Sequence, residues 1–528
     1  MAPRSTHPGE PSDSSSQQGH RPGRPPRFGV PSSALRRLRA TVLNPATAAG
    51  RDEPPVHPTV YVADRLIIAA GPGQAAAVDL LTKLGAEINV QVTVAQDDPL
   101  RRMAQEYQLL EEFAAVASTV VQLRTPDGLL SAPVDAWSVL QAARRRDPGI
   151  AASIGLNHVA LACGYGEGVG YGEGVGYGEG VGYGEGVGYG EGVGGPTMWG
   201  GPSGRMPVVV TMPDPYAPFE NNPDGPAVAI LDTGVGQHPW FVEGRGIDRD
   251  VRFGGLPIGL RFAPGEDPEA NGVTLDPVNG LLDPLAGHGT FIAGLVRQHC
   301  PSARILSVPV MYGDGAADEA DLIAALTGLY LRHARALRDG VAAEAIDVIS
   351  LSLGYYHETP GSFSDESALV TVLRALSSAG VAVVCAAGNG STDVEFYPAA
   401  FAALPQSGAP LQSVAAINPD LETESLYSNS GTWVSATRPG TGVVSTMPTN
   451  FDASRRSAIY RAGSPSTTRG TVDPDDFSSG FAVWSGTSFA APALAGDIAE
   501  VLRGSSAGLD PAARVAAAQE AITKVVNG

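Results

Sequence analysis

Residues 347–391 read DVISLSLGYYHETPGSFSDESALVTVLRALSSAGVAVVCAAGNGS. Two short, β-branched apolar runs, DVISLSL (347–353) and VAVVCAA (381–387), flank ESALVTVLRAL, whose apolar residues recur at helical spacing. A strand that is apolar on both faces has no solvent side. Two such strands joined through a helix pair in parallel, with helices covering the sheet. Outward from this unit, AVAIL (227–231), RILSVPVM (304–311) and LQSVAAI (411–417) repeat the strand pattern, and DEADLIAALTGLYLRHARALR (318–338) adds a second amphipathic helix. From residue 204 onward the expected class is therefore α/β with a mostly parallel sheet, whose reactive groups gather at the carboxyl ends of strands.

Upstream, residues 58–163 mix both periods. TVYVADRLIIAA, INVQVTV, STVVQLRT and NHVALAC read as strands, and QAAAVDLLTKLGAE and VDAWSVLQAARRR as amphipathic helices, giving a small α+β domain. Residues 164–193 are five copies of GYGEGV, and 164–203 read as a flexible glycine-rich linker, because glycine at every second position makes ordering costly. Residues 1–57 are rich in Pro and Arg, carry no apolar period, and read as a disordered arm.

The whole chain has 528 residues and a net charge of -20, from 35 Lys+Arg against 55 Asp+Glu. Its acidic body disfavours a nucleic-acid groove. Three cysteines are too few for a disulfide framework or a zinc site. No apolar run approaches membrane-spanning length and the N-terminus lacks an apolar core, so a cytoplasmic location is expected, with export by another route left open.

Three residue types that can do acyl chemistry fall beside turns. Asp232 ends the AVAIL strand, His288 sits between Gly287 and Gly289 at the start of an apolar helix, and Ser488 opens a helix rich in small residues, with Pro492 placed in its first turn. A hydroxyl needs a base to take its proton, and the base needs a carboxylate to fix its tautomer. Gly486-Thr487-Ser488-Phe489-Ala490 fails the GxSxG pattern, and the order Asp, His, Ser differs from that of the α/β-hydrolases. Asn389, between two glycines after VAVVCAA, offers an amide to a developing oxyanion, with the Ser488 N–H as second donor.

Taken together, AILDTGV (229–235), GHGTFIAG (287–294), ISLSLG (349–354), AAGN (386–389) and SGTSFAAP (485–492) resemble the subtilisin family of serine proteases across residues 220–505. The resemblance implies a three-layer α/β fold and a serine endopeptidase in which Asp232 orients His288, His288 is base and then acid, Ser488 is the nucleophile and Asn389 the oxyanion donor. It also implies that Ser352, Leu353 and Gly354 align substrate backbone as an added strand, and that Ala386, Ala387 and Gly388 wall the primary specificity pocket. Its substrates are proteins or peptides, and no cofactor is required. Structural calcium is open, and no spacing places its ligands. Residues 58–163 match such a family's prodomain in size and strand–helix mixture, which gives them the chain's own peptidase domain as a docking partner. Phe489 stands where the family usually has Met, and Leu494 where it often has His. Acidic inserts near 243–285 and 450–479 are expected as surface loops. The alternative reading is a catalytically inactive binding module of the same fold.

Overall fold

Val348–Leu351 and Ala382–Ala386 lie side by side in parallel, joined through the helix Ala368–Ser378, and their register pairs Val348 with Ala382 and Leu351 with Cys385. This computed structural model describes residues 29–48, 56–95, 97–127, 133–163, 205–210, 212–219, 224–359, 367–457, 459–462, 468–470, 472–505 and 508–527. Among them, seven strands form one parallel sheet in the order Ala436–Pro439, Gln412–Ile417, Ala382–Ala386, Val348–Leu351, Ala227–Asp232, Arg304–Pro309 and Ile247–Asp248. The three central strands are buried at every residue, as their unbroken apolar sequences require. The helix Thr487–Leu502 lies on this sheet and packs along the helix His288–His299, which brings the starts of both helices to the same end of the strands.

A second, antiparallel sheet precedes it. Gln91–Val94, Thr119–Arg124, Val60–Ile68 and Ile154–Ala162 are successive neighbours. The helices Gln74–Glu87 and Ala136–Arg146 cover it, burying Ala77, Leu81 and Leu84 from one and Trp137, Leu140 and Ala143 from the other. Asp135 caps the latter helix by accepting from the N–H groups of Trp137 and Ser138. The architecture is thus a subtilisin-like α/β sheet preceded by an antiparallel α+β sheet.

The two sheets meet. The Ile154–Ala162 strand continues onto the larger body, pairing antiparallel with Leu353–Tyr356 on one edge and with Ala316–Asp318 on the other. Two helices not foreseen from sequence, Pro99–Glu106 and Leu110–Val116, close the join, placing Leu109, Phe113 and Val116 in the same core as the parallel sheet.

Part of the N-terminal segment expected as a disordered arm is structured. Ser32–Leu38 is a helix with Ala34 fully buried, and Ala40–Val42 pairs with Val60–Val62. Arg37 reaches the buried carboxylate of Asp314 at 2.6 Å, which anchors this stretch to the larger body. The GYGEGV repeats lie outside the described residues. No helix among the described residues is long and apolar enough to cross a membrane.

Candidate active site

Asp232 ends the central strand Ala227–Asp232, and its Oδ1 lies 2.8 Å from Nδ1 of His288. Two glycines make that approach feasible. Gly287 caps the His288–His299 helix with φ +85°, and a Cβ on Gly289 would stand 2.0 Å from the Gly234 carbonyl oxygen. The turn after the strand therefore rests directly on the start of the helix, as only glycine permits. Asp232 Oδ1 also accepts from the Thr233 N–H at 2.8 Å and from its hydroxyl at 3.1 Å, so these contacts all converge on Oδ1, while Oδ2 is buried without a hydrogen-bond partner.

Ser488 is the second residue of the helix Thr487–Leu502, and its Oγ lies 3.3 Å from the Ser352 carbonyl oxygen. His288 Nε2 is buried without a hydrogen-bond partner. Pro492 sits inside this helix, one turn beyond the first-turn position read from the sequence. Its ring nitrogen has no proton for the carbonyl four residues back, which is that of Ser488. Ser352 Oγ donates to that carbonyl instead, at 2.9 Å. A proline thus leaves the Ser488 carbonyl open, and the candidate substrate segment takes it up.

Asn389 follows the strand Ala382–Ala386. Its Oδ1 accepts from the Thr487 N–H at 3.0 Å and from the Thr487 hydroxyl at 2.9 Å. This fixes the amide, and its Nδ2 is buried with no partner. The Gly388 N–H donates to Thr487 Oγ1, tying the Ala386-Ala387-Gly388 segment to the residue beside Ser488. Gly388 has φ +97°, and a Cβ there would meet Asn429 Nδ2 at 2.5 Å. Ala386 and Ala387 are fully buried, with Ala387 bonded through its N–H to Val414.

The cleft between Ala316–Asp318 and Leu353–Tyr356 is filled by this chain's own strand. Leu161 faces Ala316 and Gly354 in register, Ala162 faces Leu353, and the Ala162 and Cys163 N–H groups donate to the Gly315 and Ser352 carbonyls at 2.8 and 2.9 Å. The Cys163 carbonyl oxygen lies 2.9 Å from where a Cβ of Gly486 would be. Asp232, His288 and Ser488 are consequently buried to 1% exposure or less, and burial pushes the Cys163 thiol well up from its ordinary value.

Charged groups line this join. His158, on the inserted strand, contacts Glu319 at 2.8 Å and Glu358 at 3.0 Å, beside a cavity of about 500 Å³. Burial works against its charge, but the two carboxylates more than offset that and hold it up at about 9. His158, His357 and Glu358 bring ligand atoms together as a metal site would. However, the Thr359 N–H donates to His357 Nδ1 at 3.0 Å, so the neutral ring carries its proton on Nε2, the atom that faces Glu358. The set suits an ionic network better than a metal. Asp452, Asp473 and Asp475 in the second insert also cluster, with the Arg456 guanidinium 2.9 Å from Asp452.

One residue beside the triad candidates had no signal in the sequence. Glu269, from the first insert, is buried, and its carboxyl oxygens lie within hydrogen-bond distance of the Thr233 and Thr290 hydroxyls.

Comparison with known proteins gives a consistent picture. The pattern of the Subtilase family matches residues 223–523. Subtilisin BL of Lederbergia lenta is 27% identical over 239 residues, which cover 44% of this chain and 69% of that protein. The Alkaline protease of Shouchella clausii is 26% identical over 239 residues, and Alkaline elastase YaB of Bacillus sp. (strain YaB) 28% identical over 236. Each covers 44% of this chain, and the chain spans 49%, about half, of either relative's length.

Proposed function

From its membership of the subtilase family, we propose that this chain is a serine endopeptidase whose N-terminal domain occupies its own substrate cleft. In this reading His288, oriented by Asp232, takes the Ser488 proton as the hydroxyl attacks a peptide carbonyl. Asn389 Nδ2 and the Ser488 N–H receive the oxyanion, and His288 then protonates the leaving amine. The acyl-enzyme is hydrolysed by the same groups in reverse order.

The observation that carries the reading is the strand Ile154–Ala162, hydrogen-bonded on both edges and followed by Cys163, whose N–H shares the Ser352 carbonyl with Ser488 Oγ. Strand addition is how an extended peptide is held by main-chain bonds, independent of side chains. Residues 58–163 then act as a tethered inhibitor, and Cys163-Gly164 is the peptide bond presented for self-cleavage.

Intact mass and fluorophosphonate labelling of the wild type beside Ser488→Ala test this. We expect the wild type to label and to break after Cys163, and Ser488→Ala to do neither. Ser488 Oγ contacts the Ser352 carbonyl, which favours a second reading as a non-catalytic binding module. A wild type that stays full length, and that stays unlabelled even after residues 1–203 are removed, would support that reading and overturn the first.

A further inference from the structure

The Asp232–His288 pair rests on a closed set of hydrogen bonds that needs one more proton than two ionised carboxylates allow. Thr233 Oγ1 touches three groups: the Gly289 N–H at 2.9 Å, Asp232 Oδ1 at 3.1 Å and Glu269 Oε1 at 2.5 Å. The N–H takes one lone pair, and the hydroxyl has a single proton for two carboxylate oxygens. Thr290 Oγ1 accepts the Gly236 N–H at 2.7 Å, so its only proton goes to Glu269 Oε2 at 2.5 Å. If Glu269 were ionised, one oxygen–oxygen contact would have no proton between its atoms, at a residue only 1% exposed. If Glu269 keeps its proton on Oε1, it donates to Thr233, Thr233 donates to Asp232, and every contact holds one proton.

We propose that Glu269 is a protonated positioning residue of the active site, which passes a hydrogen bond through Thr233 to Asp232 and leaves Asp232 as the only anion facing His288. The inference rests on the endopeptidase reading for its kinetic consequence and on hydrogen-bond counting for its structural part. Glu269 also clamps two segments together. Through Thr233 it holds the turn after Asp232, and through Thr290 the helix start that carries His288.

The surroundings agree. Burial pushes the Glu269 carboxyl up to about 8, against the two threonine hydrogen bonds, and the nearby charges of Asp267 and Asp232 push in the same direction. Arg249 and Arg205 are the cations whose charge reaches it, and Arg249 is committed to the Val235, Gly236 and Phe241 carbonyls. His238, near the same loop, is held neutral by burial, down at about 4. Asp267 caps the short helix carrying Glu269. No cation forms an ion pair with Glu269 among the described residues.

Two measurements on the full chain test the assignment. In the Ser488→Ala background, infrared spectra between pH 6 and 9 should show the carbonyl stretch of a buried, protonated carboxylic acid that titrates near pH 8 and is missing from Glu269→Gln. This readout does not depend on turnover, so it decides the proton's position even if the chain proves catalytically inert. For the active chain, the rate of fluorophosphonate labelling should fall above pH 8. Glu269→Ala should lose about 10- to 100-fold, as expected when a catalytic pair is misplaced. Glu269→Gln, whose amide can donate to Thr233 and accept from Thr290, should recover most of that loss and shift the alkaline decline upward. A missing acid band overturns the proposal. So does a Glu269→Gln profile whose alkaline limb coincides with the wild type's.

Discussion

Asn389 illustrates how much of the candidate site is a matter of single atoms. Thr487 holds its carbonyl from two sides, so its Nδ2 cannot flip away, and that nitrogen is buried with nothing to bond. A fixed donor without a ground-state partner can strengthen only when charge develops in the transition state. Asn389→Ala should therefore lower kcat by about 10²–10³ while KM changes little, checked by steady-state peptide hydrolysis. The same scale separates what was legible from what was not. Asp232, His288, Ser488 and Asn389 sit in short glycine-flanked motifs, because close backbone approach demands small residues, and that demand is written locally. The role of Pro492 was misplaced by one turn. Its consequence, an open Ser488 carbonyl taken by Ser352, depends on a strand 136 residues away in sequence. Glu269 had no signature at all, since a buried carboxyl is distinguished by its neighbours and not by its own sequence context.

Among the elements, the parallel strands were readable because burial on both faces leaves an unbroken apolar run. The helices Pro99–Glu106 and Leu110–Val116 were not, because neither makes a stripe long enough to bury alone. The apolar residues of Leu110–Val116 make sense only against Glu319–Asp339 and Ala368–Ser378, and Pro99–Glu106 lies against Leu256–Pro257, all on the larger body. These helices therefore act as the hydrophobic half of the docking contact, and the strand Ile154–Ala162 as its hydrogen-bonded half. Phe113 is 8% exposed in that contact. Phe113→Ala should weaken docking by about 3–5 kcal/mol, the usual cost of removing a buried aromatic ring. The measurement is hydrogen exchange of the 154–162 amides in full-length Ser488→Ala. If their protection is unchanged while the rest of the N-terminal sheet is intact, the helix pair does not hold the strand in the cleft.

At the scale of the whole molecule, the N-terminal region meets the acidic body through matched charge pairs. Arg37 faces Asp314, Arg65 faces Asp318, Arg144 faces Glu358, and His158 lies between Glu319 and Glu358. The acidic partners are almost wholly buried, so undocking would uncover carboxylates while docking desolvates them. His158 makes this balance depend on pH. Once undocked, it returns to the ordinary histidine value of about 6.5; docked, it is held up at about 9. A proton held more tightly in the docked state stabilises docking in full below about pH 6.5, and that contribution is lost as pH rises through about 9. His357, Tyr355 and Glu358, which also face His158, titrate outside this window. Burial takes His357 down to about 4, Tyr355 lies well above its ordinary value, and the nearby histidines and Arg144 hold Glu358 far below the usual carboxylate range against its burial. Protection factors of the 154–162 amides in full-length Ser488→Ala should therefore stay level below pH 6.5 and fall toward pH 9. In His158→Gln they should start lower, because Glu319 and Glu358 lose their cation, and stay flat across the same interval. A decline in that variant as steep as in its parent would mean that some other group couples docking to pH.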